Sequence, residues 1–239
     1  MNNQIITGAK GGESKPRPSV EAPDNLQSTA YARILDLVSE GEIQGLVAGE
    51  RSVYLDETPL ANADGTRNFS GVTLDARTGS QDQLHIPGFP AVESEIAVGV
   101  ELKGGQPWIR AVQNLQLSAV RVRLSTPRLA QTNTSNGDTN GYTVQYKIEI
   151  STDGGPYVQV LSAAFSGKTS TKYERSHRVD LQPASKNWQI RVTRLTPNST
   201  SGAIADKTSI DAITEVIDAK LRYPGSAVVG LQFDASQFQ

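Results

Sequence analysis

The residue types that most often carry chemistry are sparse in this sequence. It contains two histidines, His85 and His177, and no cysteine. Without cysteine there is no thiolate nucleophile, no iron–sulfur ligand and no disulfide. His85 lies in a predicted loop and His177 in a predicted strand with polar neighbours, and neither has a second histidine nearby with which to bind a metal. We therefore interpret both as surface histidines.

The carboxylates and glycine-rich segments match no catalytic motif. Asp36, Asp56, Asp75 and Asp82 are scattered without the spacing of an acid pair, and nothing in the sequence brings two of them together as glycoside hydrolysis requires. No nucleophile elbow or phosphate-binding loop is present. The segment SNGDTNG (135–141) is a poor match to a calcium loop, and we interpret it as part of a mobile polar loop over 131–141. The sequence predicts no catalytic residue, no cofactor site and no metal ligand.

Arginines on two predicted strands permit two interpretations. They are Arg121, Arg123, Arg191 and Arg194. With Trp188 nearby, a basic strip of this kind could hold single-stranded nucleic acid. We favour arginines on the solvated face of a β-sandwich, paired with Glu149 or Glu174, because the formal net charge of -2 provides no overall positive field. No nucleic-acid specificity is predicted.

Aromatic residues could build a sugar-binding platform. They are Trp108, Tyr142, Tyr146, Tyr157 and Tyr173. Tyr142 and Tyr146 have the same strand parity as Ile148 and Ile150, however, so we favour a place in the core for them.

The elements that position these residues are predicted to be strands. YTVQYKIEISTDGGPYVQVLS (142–162) alternates apolar and polar residues and turns at Asp153-Gly154-Gly155. Short strands at roughly ten-residue spacing are typical of a β-sandwich. Strands are predicted over 31–38, 52–60, 68–79, 88–105, 111–127, 142–162, 169–181, 188–195 and 226–234. A helix capped by Ser28 is the alternative for 31–38, and 211–217 fits a helix or a strand. The fold class is all-β with minor helix.

The N-terminal segment predicts a flexible arm, and the apolar content predicts no membrane span. Residues 1–27 are rich in glycine, proline and polar residues and are predicted to be a flexible arm, with ordering against a neighbour as the alternative. No apolar run approaches the length of a membrane span or a signal peptide, so no membrane span is predicted.

Four segments carry a resemblance to a known family. SEGEIQGL (39–46), SVYLDETPLANADGTRNFSGV (52–72), RLTPNST (194–200) and DAITEVIDAKLRYPGSAVVGLQFDASQF (211–238) resemble, in this order, the N-terminal part of the tail-tip host-specificity proteins J of lambda-like siphophages. The middle, about 105–190, is similar in strand pattern more than in residues. Because family members are several times longer, we expect the polypeptide to continue past residue 239.

The resemblance implies a structural role at the distal tip of a phage tail. The family forms a trimeric hub that closes the tail tube and docks other tail-tip and tail-tube proteins and the tape-measure protein. The host receptor is bound by a C-terminal region that this sequence lacks. The implied location is the virion, after assembly in the bacterial host cytoplasm, and no enzymatic activity or cofactor is implied.

The resemblance also implies a division of the chain. After the arm at 1–27 come the first part of a hub β-barrel similar to baseplate hub domains (28–104), an inserted β-sandwich (105–202) and a return segment of the barrel (203–239). The predicted barrel core is Leu35, Leu37, Val53, Leu55, Val72, Val229, Leu231 and Phe233. Glycines predicted to set loop geometry, because glycine reaches positive φ without steric cost, are Gly41, Gly45, Gly49 and Gly65. The strands near 31–38 and 226–234 are predicted to lie nearest a subunit boundary.

Two other function classes remain open at this point. One is a carbohydrate- or cell-surface-binding β-sandwich module, with the region 105–202 as an adhesin. The other is an enzyme such as a cell-wall glycosidase. A lone module would bind glycans as a monomer, and an enzyme would lose its activity when single acidic residues are replaced by alanine.

Overall fold

A computed structural model describes residues 17–89 and 92–235 as antiparallel strands with one short 3₁₀ helix, Gly49–Ser52. The strands are β1 (Tyr31–Glu40), β2 (Tyr54–Leu55), β3 (Thr58–Pro59), β4 (Thr73–Arg77), β5 (Val92–Glu101), β6 (Trp108–Val112), β7 (Ala119–Thr126), β8 (Ala130–Thr132), β9 (Thr139–Asn140), β10 (Tyr142–Thr152), β11 (Val158–Gly167), β12 (Tyr173–Asp180), β13 (Trp188–Arg194), β14 (Ile204–Ala205), β15 (Ser209–Ile217) and β16 (Ser226–Asp234). The all-β prediction is confirmed. No helix in these residues is long and apolar enough to cross a membrane.

Two four-stranded sheets form a β-sandwich. Their strand orders are β11-β10-β13-β6 and β12-β7-β15-β5, and all pairs are antiparallel. The alternation of the sequence explains the layers, because every second residue of β13 is buried while the intervening residues are partly exposed. The segment 211–217, which fitted either a helix or a strand, is part of the central strand β15.

The sandwich core fills the space between the two sheets. Its largest fully buried apolar side chains include Trp188, Tyr146, Phe165, Ile148 and Ile213. Phe165 packs edge-on against Tyr146 with ring centroids 5.2 Å apart, an arrangement that aromatic quadrupoles favour.

The sandwich is wider than the predicted insert at 105–202. Strand β5 precedes that range and β15 follows it, yet they pair with each other from Ser209–Glu101 to Ile217–Val92. The alternation in β5 did not predict its pairing with β15. Gly99 adopts a positive φ of 66° at a register shift between the two strands. The shift interrupts the strict alternation predicted for this strand and leaves Val100 exposed.

A separate three-stranded sheet has the order β1-β16-β4. One face carries Val229, Leu231 and Phe233, which pack with Leu60 and Val72 in a second, smaller apolar cluster. On the other face, Gly230 leaves room for Phe89, since a Cβ at this position would lie 2.8 Å from the Phe89 ring.

The eight residues predicted for the barrel core occupy different surroundings. Val72, Val229, Leu231 and Phe233 are buried in the small cluster, and Val53 and Leu55 pack against it partly buried. Leu35 lines a small cavity of about 70 Å³ on the opposite face with Ile86 and Phe89. Leu37 is 62% exposed on the edge strand β1. In the described residues the sheet is open, so a closed barrel remains a proposal.

Tight turns shape the region before β4. Gly41, Gly45, Gly49 and Gly65 all have positive φ, between 58° and 120°, with open space where a Cβ would lie. The predicted strand at 52–60 is instead a hairpin of β2 and β3. Its turn residues Asp56 and Glu57 have φ of 48° and 63°, a conformation for which Asn-Gly is the usual sequence signal.

Candidate functional site

The N-terminal arm is packed against the sandwich from residue 17 onward. Backbone hydrogen bonds join Ala22 to Thr139 and Asn25 to Lys168. The Ser28 hydroxyl accepts a hydrogen bond from the Glu174 amide at 2.7 Å. Residues 17–27 of the predicted flexible arm thus hydrogen-bond to the sandwich, and the part of the arm at 1–16 lies outside the described residues.

Charge anchors this arm. Lys168 is buried and its Nζ lies 2.6 Å from Asp24 and 2.8 Å from Glu21. The hydrogen bond from Lys168, with further bonds from Ser170, lowers the pKa of Asp24 to about 2. The same two carboxylates raise the pKa of Lys168. The polar composition that predicted disorder thus supplies the groups that hold the arm.

The segment predicted to be a mobile polar loop, 131–141, is largely hydrogen-bonded. β8 and β9 form a hairpin, and Asp138 accepts hydrogen bonds from the Val20 amide at 2.7 Å and from Arg17. Asn133 and Asn136 bond to backbone amides two residues on, which stabilises the turn locally. The loop is part of the surface that receives the arm.

His177 was predicted to lie on the surface, but it is partly buried. Its Nε2 is 2.7 Å from the Tyr146 hydroxyl, which comes from the opposite sheet of the sandwich. Burial lowers the pKa of His177 to about 4, with a smaller effect of Arg175, and burial raises the pKa of Tyr146 to about 12. The pair joins the two sheets through a neutral hydrogen bond. His85 is partly exposed and lines the cleft described below.

Arg194 also departs from the prediction of a solvated arginine. It is 1% exposed, and its Nη2 lies 2.5 Å from Asp206. The other guanidinium nitrogens donate to the carbonyls of Thr196 and Asp206. This buried pair fixes the segment between β13 and β15, and its partner Asp206 carries no motif by which the sequence could have revealed it.

The other three arginines lie on outer faces, as predicted. Of their carboxylate partners, the sequence indicated only Glu149. Arg191 binds Glu149 through two nitrogens at 2.8 and 2.9 Å and lies over the Tyr157 ring. Arg121 and Arg123 project from β7 and reach across the intervening strand β15 to carboxylates of β5; the partners are Glu93 and Glu95.

No aromatic platform is formed by the candidate residues. Tyr146 and Tyr173 are buried, while Tyr142 and Trp108 pack partly buried against the sandwich core. Tyr157 lies under Arg191 and donates its hydroxyl to Gln189. The preference for a core role of Tyr142 and Tyr146 is borne out, and no observation on these residues favours sugar binding.

Two of the four scattered aspartates have side-chain partners, and both partners are close in sequence. Asp75 pairs with Arg77 and Asp82 accepts a hydrogen bond from Ser80, while Asp36 is exposed on β1 and Asp56 lies in the hairpin turn. Over residues 17–89 and 92–235, no three histidine or acidic side chains lie close enough together to hold a metal ion.

A cleft of about 1030 Å³ lies between the small sheet and the outer face of β12 and β7, and we call it the inter-sheet cleft. One wall is formed by residues 27–33 and 85–89, and it includes the apolar side chains of Ile86 and Phe89. The other wall is formed by polar residues of the sandwich. Charged side chains that line the cleft are Arg33, Arg121, Arg123, Arg175, Arg178, Lys220, Glu174 and Asp218.

Comparison with known proteins identifies the family. The sequence profile of the FNIII-A domain of tip attachment protein J matches residues 92–219, a range that contains all eight strands of the sandwich. Tip attachment protein J of Escherichia phage SECphi4 is 44% identical over 98% of this chain, and that of Escherichia phage SECphi27 is 40% identical over 100%. The chain spans about a fifth of each relative, 21% and 20% of their lengths.

Solved structures add nothing to this assignment. The match to the stem and receptor-binding domain of spike protein P1 from bacteriophage PM2 covers 88% of this chain and 99% of the P1 chain, with 8% identity and a TM-score of 0.32. Such a score is too low to support an argument about fold or function. The sequence relationships are sufficient by themselves, and the chain belongs to the tip attachment protein J family.

Proposed function

We propose that this chain is a structural part of a siphophage tail tip, where it forms a trimeric hub that closes the tail tube. The observation that carries the proposal is identity of 40–44% over essentially the whole chain to proteins named for attachment at the tip. The proposed hub docks other tail-tip and tail-tube proteins and the tape-measure protein. Receptor binding is assigned to a later part of a longer polypeptide, since the curated relatives are about five times as long.

The arrangement of the described residues supports a role in assembly. The small sheet exposes large apolar side chains on its edge strand β1, among them Tyr31, Leu37 and Val38. A ten-residue edge strand with exposed apolar groups is a template for pairing with another strand. We therefore propose that residues 28–89 and 220–235 contribute to a hub barrel near a subunit boundary, with the sandwich of residues 92–219 inserted.

The proposal assigns no catalysis to this chain. The proposed location of the chain is the distal tail tip of the virion, after assembly in the cytoplasm of the bacterial host. What supports a structural role is that the titratable groups with the largest pKa changes, His177, Tyr146 and Asp24, all have partners that hold one element against another.

Labelled particles test the location and the copy number. An epitope inserted at Gly202, in an open loop, is expected to bind gold-labelled antibody at the distal end of the tail in electron micrographs. Native mass measurement of the isolated tip is expected to give three copies of the polypeptide. Label on the capsid or along the tube would contradict the location, and a different copy number would contradict the trimer.

A further inference from the structure

The charges of the inter-sheet cleft do not balance. Both acidic residues that line it already have basic partners: Glu174 pairs with Lys172, and Asp218 pairs with Arg178. Arg121 and Arg123 have carboxylate partners on β5. The three remaining cations are Arg33, Arg175 and Lys220, and among the described residues none of them has a carboxylate partner.

These three cations differ in how available they are. Arg33 is exposed, and its Nε donates to Gln232, so its terminal nitrogens remain free among the described residues. Lys220 is exposed on the connection between β15 and β16. Arg175 is partly buried, donates to the Tyr173 hydroxyl and the Ala164 carbonyl, and lies near two aromatic rings. Arg33 and Lys220 are therefore the groups best placed to receive an anion.

The surplus is local and opposes the charge of the whole molecule. The chain has a formal net charge of -2, whereas all uncompensated charge in the inter-sheet cleft is positive. A concave site lined by one sign of charge attracts ligands of the opposite sign. Because only three of its cations lack a carboxylate partner among the described residues, the cleft lacks the extended basic surface that nucleic-acid backbones require.

We propose that the inter-sheet cleft binds an acidic, partly apolar segment of a partner protein in an extended conformation. Its carboxylates pair with Arg33 and Lys220, and its apolar side chains contact Ile86 and Phe89 on the facing wall. A volume of about 1030 Å³ exceeds what a single phosphate needs and accommodates several residues of a peptide. The inference rests on the proposed docking role, to which it adds the chemistry of one partner.

Peptide binding measured by fluorescence anisotropy tests the proposal. The probe is a fluorescein-labelled peptide of alternating glutamate and tyrosine, and the matched peptide has glutamine in place of glutamate. The acidic peptide is expected to bind the chain and to bind more weakly as salt is raised, because the exposed ion pairs are screened. Equal binding of the two peptides, or no binding of the acidic one, would overturn the proposal.

Charge reversal locates the site. The double variant Arg33→Glu/Lys220→Glu is expected to weaken binding of the acidic peptide by about tenfold or more. The control Arg51→Glu/Lys186→Glu makes the same change of charge at exposed residues outside the cleft and is expected to leave affinity within about twofold. Equal weakening by both variants would overturn the assignment to the cleft.

Two further measurements separate the remaining outcomes. A peptide of alternating lysine and tyrosine is expected to bind the Arg33→Glu/Lys220→Glu variant better than the native chain, which an unfolded variant would not do. Single-stranded DNA that displaces the acidic peptide from the cleft with higher affinity would replace the proposal by nucleic-acid binding. If peptide binding fails while the epitope at Gly202 still marks the tail tip, the docking chemistry is wrong and the proposed function stands.

Discussion

The sandwich and the small sheet bury their apolar residues to different extents. The sandwich places its core between two complete sheets, so that side chains such as Ile148, Ile190 and Ile213 are fully buried. The small sheet has a single layer, with Leu60 and Val72 from the preceding loops closing one face. Its edge strand β1 leaves Tyr31 and Leu37 more than half exposed.

The sandwich covers its own apolar residues, whereas the small sheet does not. Two layers bury both inner faces without help, whereas one layer covered by loops depends on other segments to cover its remaining apolar groups. In the sandwich the polar residues between layers have partners, as Arg194 and His177 illustrate. Four variants can break or sharpen the comparison, beginning with the largest expected effect.

Arg194→Met is expected to destabilise the sandwich most. The substitution leaves Asp206 as an uncompensated buried charge, which costs on the order of 3–5 kcal/mol in free energy of unfolding. Urea unfolding followed by tryptophan fluorescence measures the loss, since Trp188 lies in the core. Arg67→Met, which removes the partner of the partly exposed Glu50, is the matched control and should cost much less. Equal losses would show that burial of the pair has no special weight.

Gly230→Ala is expected to loosen the small sheet and spare the sandwich. The added methyl group would lie 2.8 Å from Phe89 and 3.0 Å from Ile86, and such overpacking costs about 1–3 kcal/mol. Hydrogen exchange of β1, β4 and β16 should accelerate while that of β13 stays unchanged. Gly202→Ala, with nothing within 4 Å of the new methyl, provides the control and should change neither. Faster exchange throughout would mean that the two regions unfold together.

The His177–Tyr146 pair is expected to make sandwich stability depend on pH. The pKa of His177 is lowered from 6.5 to about 4, so the unfolded state binds the proton more tightly. The contribution is fully present above pH about 6.5, falls as the pH drops towards 4, and is constant below that. Allowing for partial exposure, the loss is about 1–2 kcal/mol.

His177→Gln isolates this effect. Unfolding free energies of the native chain and the variant, measured between pH 7.5 and 4, should differ by an amount that changes with pH, because other acid-sensitive groups are common to both. His85→Gln, which removes a histidine outside this pair, is measured in parallel as the control for loss of an imidazole. A constant difference between native chain and His177→Gln across this range would refute the assignment.

Asp24→Asn is expected to have the smallest effect, confined to the arm. Removing the charge weakens the pairing with buried Lys168, so amides of residues 20–28 should exchange faster with solvent. Because the pKa of Asp24 is lowered to about 2, the native arm should stay attached at neutral pH and loosen only as the pH falls below about 4. Asp36→Asn, at an exposed position on β1, should leave the arm unchanged.

The amino-acid sequence by itself determined the strands with regular alternation and the family. Strands such as β10 and β13 were predictable because one face is buried and the other solvated, which produces a period of two along the chain. The core placement of Tyr146 followed from the same parity. The quoted segments sufficed to indicate the tip proteins, since sequence similarity needs no knowledge of contacts.

Only the tertiary structure decided which distant residues meet. The pairing of β5 with β15 joins segments about a hundred residues apart, and a register shift at Gly99 disguised the pattern. Arg194 has its carboxylate in a loop, and the polar arm has Lys168 far along the chain. Polar residues look alike in sequence whether they face water or a buried partner, because their free energy depends on what lies opposite them in space.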